Sequence, residues 1–235
     1  MNIAIIPARG GSKRIQRKNI KSFSGKPMIA YAIAAAKDSG LFEHIVVSTD
    51  DEEISSIARD WGAETPFIRP AELADDYTTT VPVIADGIQC CRALGWSFEN
   101  VCCIYPTVPF IHVGDLGASL DILIKSESDY CFPVSEFPSA VQRALKREDD
   151  GKMKPFYPQF ETARTQDLEK AYHDAGQFYW GRTKAWLNNP KIHSGGIGYV
   201  VPSWRVIDID TPEDWLRAEV MYKAFNDPAG QSLIG

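Results

Sequence analysis

An α/β fold with a mostly parallel sheet is predicted by two features of this 235-residue sequence. Short apolar runs of about five residues, the usual strand length, alternate with longer amphipathic segments. Beyond position 136 that alternation breaks, which predicts one domain over 1–235 with a smaller lobe inserted at about 136–192.

The first strand is Ile3–Ile6, followed by a basic segment and a helix over Met28–Ser39. That helix begins after Pro27 and stops at Gly40, the proline-in, glycine-out asymmetry of a helix. Strands follow at His44–Ser48, Ala63–Ile68, Asn100–Tyr105 and Tyr130–Val134, joined by helices at Glu52–Trp61, Val81–Ala93 and Leu116–Ser126. The lobe is marked by Pro138, the charged run Lys146 to Asp150, Gly151, Pro155 and Pro158. Strands return at Gly198–Val201 and Val206–Ile209. A closing helix runs from Pro212 to about Phe225, with Thr211 as cap and Asp214 three residues on. Asp227–Gly235 reads as a frayed tail.

Composition excludes several function classes. With 44% hydrophobic and 24% charged residues, the chain can bury a core and is not of the disordered class. Its net charge of −6 argues against a nucleic-acid coat, which needs a basic excess. No run approaches the roughly 18 apolar residues of a membrane span. The opening Met1–Pro7 lacks the basic region of a leader, so a cytoplasmic location is expected. The five cysteines are mostly in adjacent pairs without C-x-x-C spacing and read as buried, reduced thiols.

Two constellations carry chemistry. From Arg9 to Lys26 there are seven basic residues and no acidic one, in a chain of net charge −6. Such a local inversion of charge suits a polyanion. Gly10 and Gly11 let the backbone turn its N–H groups toward phosphate oxygens, while Arg9, Lys13 and Lys18 supply countercharge. The segment is neither a Walker A loop nor G-x-G-x-x-G, but it follows the first strand, where open α/β sheets bind ligands. A solvated basic loop is the plain alternative. The second constellation is Asp208-Ile209-Asp210: on an extended strand both carboxylates share one face. Hard oxygen ligands of this kind suit Mg²⁺ together with substrate phosphates. The alternative makes Asp210 or Thr211 a helix cap and Asp208 an exposed strand end. Together the two point to a nucleoside triphosphate and to phosphoryl or nucleotidyl transfer by positioning and charge neutralisation. His193-Ser194-Gly195-Gly196 is not a nucleophile elbow and reads as a turn.

These residues resemble the acylneuraminate cytidylyltransferases. The resemblance covers nearly the whole chain and is most specific at Ala8-Arg9-Gly10-Gly11-Ser12-Lys13-Arg14-Ile15 with Lys18-Asn19. Ser48-Thr49-Asp50, Arg69-Pro70, Leu73-Ala74-Asp75-Asp76 and Asp208-Ile209-Asp210 also fit family positions in order. Tyr105-Pro106-Thr107-Val108-Pro109-Phe110 and Asp174-Ala175-Gly176-Gln177-Phe178-Tyr179 look most like the branch that activates pseudaminic acid. Tyr105 stands where sialic acid synthetases usually carry Gln, and Ile111 where they carry Arg.

The resemblance implies a glycosyltransferase-A-like nucleotide-diphospho-sugar transferase fold whose lobe pairs with a second subunit in a homodimer. It implies transfer of CMP from CTP to a nonulosonic acid, with Mg²⁺ as cofactor and no nucleic-acid or membrane partner. Arg9, Lys18, Asp208 and Asp210 would be catalytic, the two aspartates holding the metal. Ala8 to Lys13, Lys18, Asn19, Arg69 and Thr79 would bind the nucleotide, and Tyr105, Gln177 and Tyr179 the sugar. Legionaminate, N-acetylneuraminate and 3-deoxy-octulosonate are the alternative acceptors. A metal-dependent glycosyltransferase of the same fold and a silent nucleotide-binding protein are the rival classes; pyrophosphate release separates both from a cytidylyltransferase.

Overall fold

The computed structural model describes residues 1–226; the tail expected over 227–235 lies outside the described residues. The chain opens with β1 (Asn2–Pro7), then a short hairpin of β2 (Ser22–Phe23) and β3 (Lys26–Pro27) whose turn residues Ser24 and Gly25 both have positive φ. Next come α1 (Ile29–Ser39), β4 (His44–Ser48), α2 (Glu52–Asp60), α3 (Thr80–Ala93), β5 (Asn100–Ile104), α4 (Val113–Lys125) and β6 (Tyr130–Glu136). The hairpin β7 (Leu145–Arg147) and β8 (Met153–Pro155) precedes β9 (Tyr172–Asp174), β10 (Phe178–Arg182), α5 (Thr183–Asn188), β11 (Ile197–Val200) and α6 (Pro212–Asn226). The main sheet runs β11-β6-β10-β5-β1-β4, with β9 on β6.

β1 is central because parallel neighbours β4 and β5 flank it and both its faces are covered. Its period of two sends Ile3 and Ile5 toward Ile84 and Ile88 of α3 and Trp186 of α5. Ala4 and Ile6 go toward Ile29 and Ile33 of α1 and Leu116 and Leu120 of α4. Each isoleucine of β1 is fully buried, which stabilises by about 1.5–3 kcal/mol apiece. Gly40 ends α1 in the left-handed conformation at φ 63°, as the sequence predicts. All five cysteines are free. Burial pushes Cys131 up to about 11 and Cys91 up to about 12, so both stay protonated at neutral pH.

A separate cluster docks α6. Phe23 in the hairpin meets Tyr31 of α1 and Trp215 and Tyr222 of α6 edge-on, at ring distances of 5.6, 5.4 and 5.5 Å. The capping box at the start of α6 forms as expected: Asp214 N–H donates to Thr211 Oγ1 at 3.2 Å, and Thr211 N–H to Asp214 Oδ2 at 2.8 Å.

The structure corrects two predicted strands. Ala63–Ile68 reduces to a single bridge between Val46 and Glu64, because Pro66 has no N–H to continue the ladder. Val206–Ile209 is extended but unpaired; its Ile209 carbonyl is taken by a lysine side chain instead of a neighbouring strand. The 136–192 segment divides. The β7–β8 hairpin and its flanks project, whereas β10 re-enters the main sheet antiparallel between β5 and β6, with Phe178 and Trp180 fully buried.

Gly181 of β10 lies where Trp186 and Tyr130 close over the sheet. A Cβ there would meet Trp186 Nε1 at 2.5 Å and Tyr130 Cδ1 at 2.7 Å. Both neighbours are fully buried, and the indole is fixed by its bond to the Val101 carbonyl at 3.1 Å. Gly181→Ala is expected to destabilise by about 1–3 kcal/mol in urea unfolding; an unchanged midpoint would contradict this packing.

Candidate active site

The basic segment begins where β1 ends. Ala8 is buried and its N–H donates to the Ser48 carbonyl at 2.9 Å, continuing the β1–β4 pairing by one residue. Gly10 N–H donates to Asp50 Oδ1 at 2.9 Å, and a Cβ at Gly10 would sit 2.8 Å from Asp51 Oδ2. That close approach requires glycine, because Asp51 is itself held as the cap of α2 through Ile54 N–H at 3.0 Å. Gly11, by contrast, is open. The loop is closed by Asn19, whose side-chain amide donates to the Arg9 carbonyl at 2.9 Å. It is clasped by Arg17, which holds a left-handed φ of 54° while its guanidinium pairs with Asp51, at 3.0 Å for Nη2, and with Glu53.

Arg9, Lys13, Arg14 and Lys18 face acids that come from elsewhere in the chain, whereas Lys21 lies over the Trp215 ring and Lys26 over Tyr31. Arg9 Nη1 lies 2.8 Å from Asp76 Oδ1 and contacts the Asp75 carbonyl, and Lys13 contacts the other oxygen of Asp76. Lys18 donates to the Ile209 carbonyl at 2.8 Å and sits 3.3 Å from Asp210 Oδ1, while Arg14 meets Asp210 Oδ2 at 2.7 Å. Docking of α6 thus delivers Asp208 and Asp210 to the basic loop. The alternation expected of an extended segment holds: Ile209 is buried and Asp208 exposed. The Asp208 carboxyl is raised above its ordinary value by partial desolvation and then by the charge of Asp210, against Lys18 and Arg14.

A cavity of about 490 Å³ opens between these groups. Arg9, Ser12, Lys13, Lys18 and Asn19 of the basic segment line it together with Asp210. Arg69, Thr79 and Tyr105 also line it, and the N-terminus of α3 contributes Thr80. Arg69 is buried, donates from Nε to Ser48 Oγ at 3.1 Å and also reaches the Ser48 carbonyl. Burial lowers it to about 10, opposed by Asp50 and Asp86, so it remains a cation at neutral pH. Tyr105 shares a 2.7 Å hydrogen bond with Thr80. Gly10, Gly11 and Asp208 lie outside the lining. Gln177 and Tyr179 are only 4% and 3% exposed and sit behind Tyr105. Sequence reasoning left out Asp51, Glu53, Asp75 and Asp76 as partners of the basic loop; the acidic pairs 50–51 and 75–76 were the available signal.

A family model described as cytidylyltransferase matches residues 3–187. The chain belongs to the cytidylyltransferase family. Among cytidylyltransferase relatives, a pseudaminic acid cytidylyltransferase of Campylobacter jejuni is 42% identical over 231 residues, covering 97% of this chain and 99% of that protein. A CMP-N,N'-diacetyllegionaminic acid synthase of Legionella pneumophila is 31% identical over 225 residues, covering 92% and 94%. A solved CMP:2-keto-3-deoxy-manno-octonic acid synthetase in complex with CTP shares the fold, with a TM-score of 0.71 at 16% identity, covering 94% of this chain and 98% of that one. The expected α/β nucleotidyltransferase fold therefore stands, and the cavity beside β1 is the candidate active site of a cytidylyltransferase.

The Arg17 clasp sets a pH dependence. Hydrogen bonding from Arg17 holds the Asp51 carboxyl below its ordinary value, with burial opposing. Asp51 therefore favours folding above its unfolded value of about 3.9, and that contribution is lost as pH falls through the lower folded value. Arg17→Ala should shift the onset of acid unfolding to higher pH, read by circular dichroism across the acid range. An unshifted acid limb would show that the clasp does not stabilise the loop.

Proposed function

We propose that this chain transfers CMP from CTP to the anomeric hydroxyl of a nonulosonic acid, pseudaminic acid, and releases pyrophosphate. The observation that carries the reading is the convergence of Arg9, Lys13, Lys18 and Asp210 on one cavity. The anomeric oxygen attacks the α-phosphorus, the bond to the bridging oxygen breaks, and the hydroxyl proton leaves to solvent. Negative charge accumulates on the departing pyrophosphate. Arg9, Lys13 and Lys18 neutralise it, exchanging their present partners Asp76 and Asp210 for phosphate oxygens. On this reading Ser12 and Asn19, which line the cavity, hold phosphate and ribose, and Arg69 and Thr79, which also line it, receive the cytidine. The 42% identity to a pseudaminic acid cytidylyltransferase supports that acceptor over legionaminate, whose synthase is 31% identical.

Asp208 and Asp210 fit Mg²⁺. The charge of Asp210 helps raise the Asp208 carboxyl, a repulsion that a divalent cation between them relieves. Among the described residues no cluster of three or more His, Cys, Asp or Glu forms a complete cage. Mg²⁺ commonly takes one or two carboxylates and completes its shell with phosphates and water. When bound there, Mg²⁺ supplies charge neutralisation at the phosphates.

The reading is tested by pyrophosphate release with CTP and Mg²⁺, supplying pseudaminic, legionaminic and N-acetylneuraminic acids in parallel. Turnover is expected with pseudaminic acid. Arg9→Ala should lower it about 10²- to 10³-fold, and unchanged turnover would remove Arg9 from the mechanism. Asp208→Asn and Asp210→Asn should each raise the Mg²⁺ required; full activity of both at low Mg²⁺ would remove the metal assignment.

The projecting lobe supports a homodimer. Leu145, Met153 and Phe156 are each more than half exposed there, at 54, 51 and 59%. Light scattering should give twice the 26.2 kDa chain mass, and Leu145→Asp with Phe156→Asp should return it to the monomer value. A monomer from the unaltered chain would overturn this assembly. Among the described residues no helix is long and apolar enough to cross a membrane.

A further inference from the structure

The anion that answers Arg9 and Lys13 sits on a segment that little else holds. Residues 70–78 cross from Arg69, whose N–H donates to the Thr49 carbonyl at 2.9 Å, to the start of α3. Within itself the segment is well tied. The N–H groups of Leu73 and Ala74 donate to the Pro70 and Ala71 carbonyls at 3.0 Å each, and Thr78 Oγ1 donates to the Glu72 carbonyl at 3.2 Å. Asp75 Oδ1 accepts Tyr77 N–H at 3.0 Å and Thr78 N–H at 2.7 Å, which closes a turn. Among the described residues, its hydrogen bonds and ion pairs to the rest of the chain go to two side chains. Arg9 meets the Asp75 carbonyl and Asp76 Oδ1, and Lys13 meets Asp76 Oδ2. None of residues 70–78 is buried, and Tyr77 is 89% exposed, so no buried apolar side chain seats the segment.

Asp76 and Asp210 both lie against cations of the cavity, but they are held differently. Asp210 leads into α6 and is fixed through its own N–H, which donates to Asp214 Oδ2 at 3.2 Å. Asp76 is fixed through the cations themselves. The hydrogen bond from Lys13, opposed by desolvation and helped by Arg9, holds its carboxyl below the ordinary value, so it is an anion at neutral pH. An anion on a lightly seated strap, placed on two cations that a polyphosphate needs, competes with that ligand.

We infer that Asp76 is a built-in competitor of the polyphosphate: with the cavity empty it latches the 70–78 strap onto Arg9 and Lys13, a bound triphosphate displaces it, and it reclaims both cations as pyrophosphate departs. The inference rests on the cytidylyl transfer from CTP proposed above and adds a control of affinity and release at that same site. A ligand that must first open the latch binds with an apparent Kd raised by the inverse of the open fraction. The same competition favours release of pyrophosphate, because the recaptured cations are those that held it. Opening breaks the Arg9 and Lys13 contacts and spares the turn built by Asp75, whose bonds lie inside the strap.

Isothermal titration with inorganic pyrophosphate, without Mg²⁺, sugar or turnover, tests the inference. Asp76→Asn keeps the shape of the side chain and should bind pyrophosphate about fivefold tighter than the unaltered chain, the scale of one partly exposed ion pair. Loss of a negative charge favours any polyanion, so Asp75→Asn is the control. It takes the same charge from the same cavity lining, and its amide oxygen still accepts the Tyr77 and Thr78 N–H groups. The latch requires Asp75→Asn to tighten binding by less than about twofold, a screened charge effect. Equal tightening in the two variants, or unchanged or weaker binding by Asp76→Asn, overturns the inference. In steady-state assays Asp76→Asn should lower the KM for CTP and strengthen product inhibition by pyrophosphate with the sugar KM unchanged, a pattern that a damaged fold does not give. If the unaltered chain releases pyrophosphate from CTP and Asp76→Asn binds it no tighter, the inference fails and the reaction stands. If no pyrophosphate is released and Asp76→Asn alone binds it tighter, the reaction reading fails and the latch stands. Binding by neither protein overturns both.

Discussion

The repulsion among seven basic residues between Arg9 and Lys26 is the constraint that organises this protein. A loop of that charge holds one shape only if acids are brought to it. They come from three distant places: Asp50, Asp51 and Glu53 after β4, Asp76 before α3, and Asp210 before α6. The partners divide into two kinds. Arg17 is bound to the α2 cap and shapes the loop from outside the cavity lining. Arg9, Lys13 and Lys18 line the cavity, paired with Asp76 and Asp210. On the function proposed above, the charge complementarity that shapes this loop is the one a polyphosphate would take over.

The third acid source depends on an apolar contact. Asp210 is 192 positions from Lys18 and reaches it because Phe23, Tyr31, Trp215 and Tyr222 pack α6 against the β2–β3 hairpin. The hairpin closes the basic segment, so one aromatic cluster sets both the end of that segment and the start of the acidic one. Loosening that cluster separates Asp208 and Asp210 from the cations without touching either group.

The other half of the site depends on β10, which returns from the lobe to pair antiparallel with β5 and β6. Its insertion buries Gln177 and Tyr179 behind Tyr105 and obliges their polar atoms to find internal partners in Arg205 and Asp174. Arg205 is in turn held by the buried Asp115 at 2.6 Å. Behind Tyr105 the buried polar atoms thereby form a satisfied network.

Short-range physics was legible in the sequence. The β-α alternation, the Pro27 and Gly40 limits of α1, the Thr211–Asp214 box and the basic loop after β1 each depend on neighbours within a few positions, so residue order alone determined them. Family resemblance added the order of the motifs and grouped Arg69, Thr79 and Tyr105 with the basic loop, residues that line one cavity. What only the tertiary structure decided depends on partners remote in the chain. Ala63–Ile68 and Val206–Ile209 have strand-like apolar patterns, yet Pro66 breaks one ladder and no strand lies beside the other. Phe178–Arg182 opens with three strand-forming aromatics, but its place between β5 and β6 depends on partners remote in the chain. Whether Gln177, Tyr179 or His193 meets solvent follows from that placement, since burial is a property of the assembled sheet and not of any single segment.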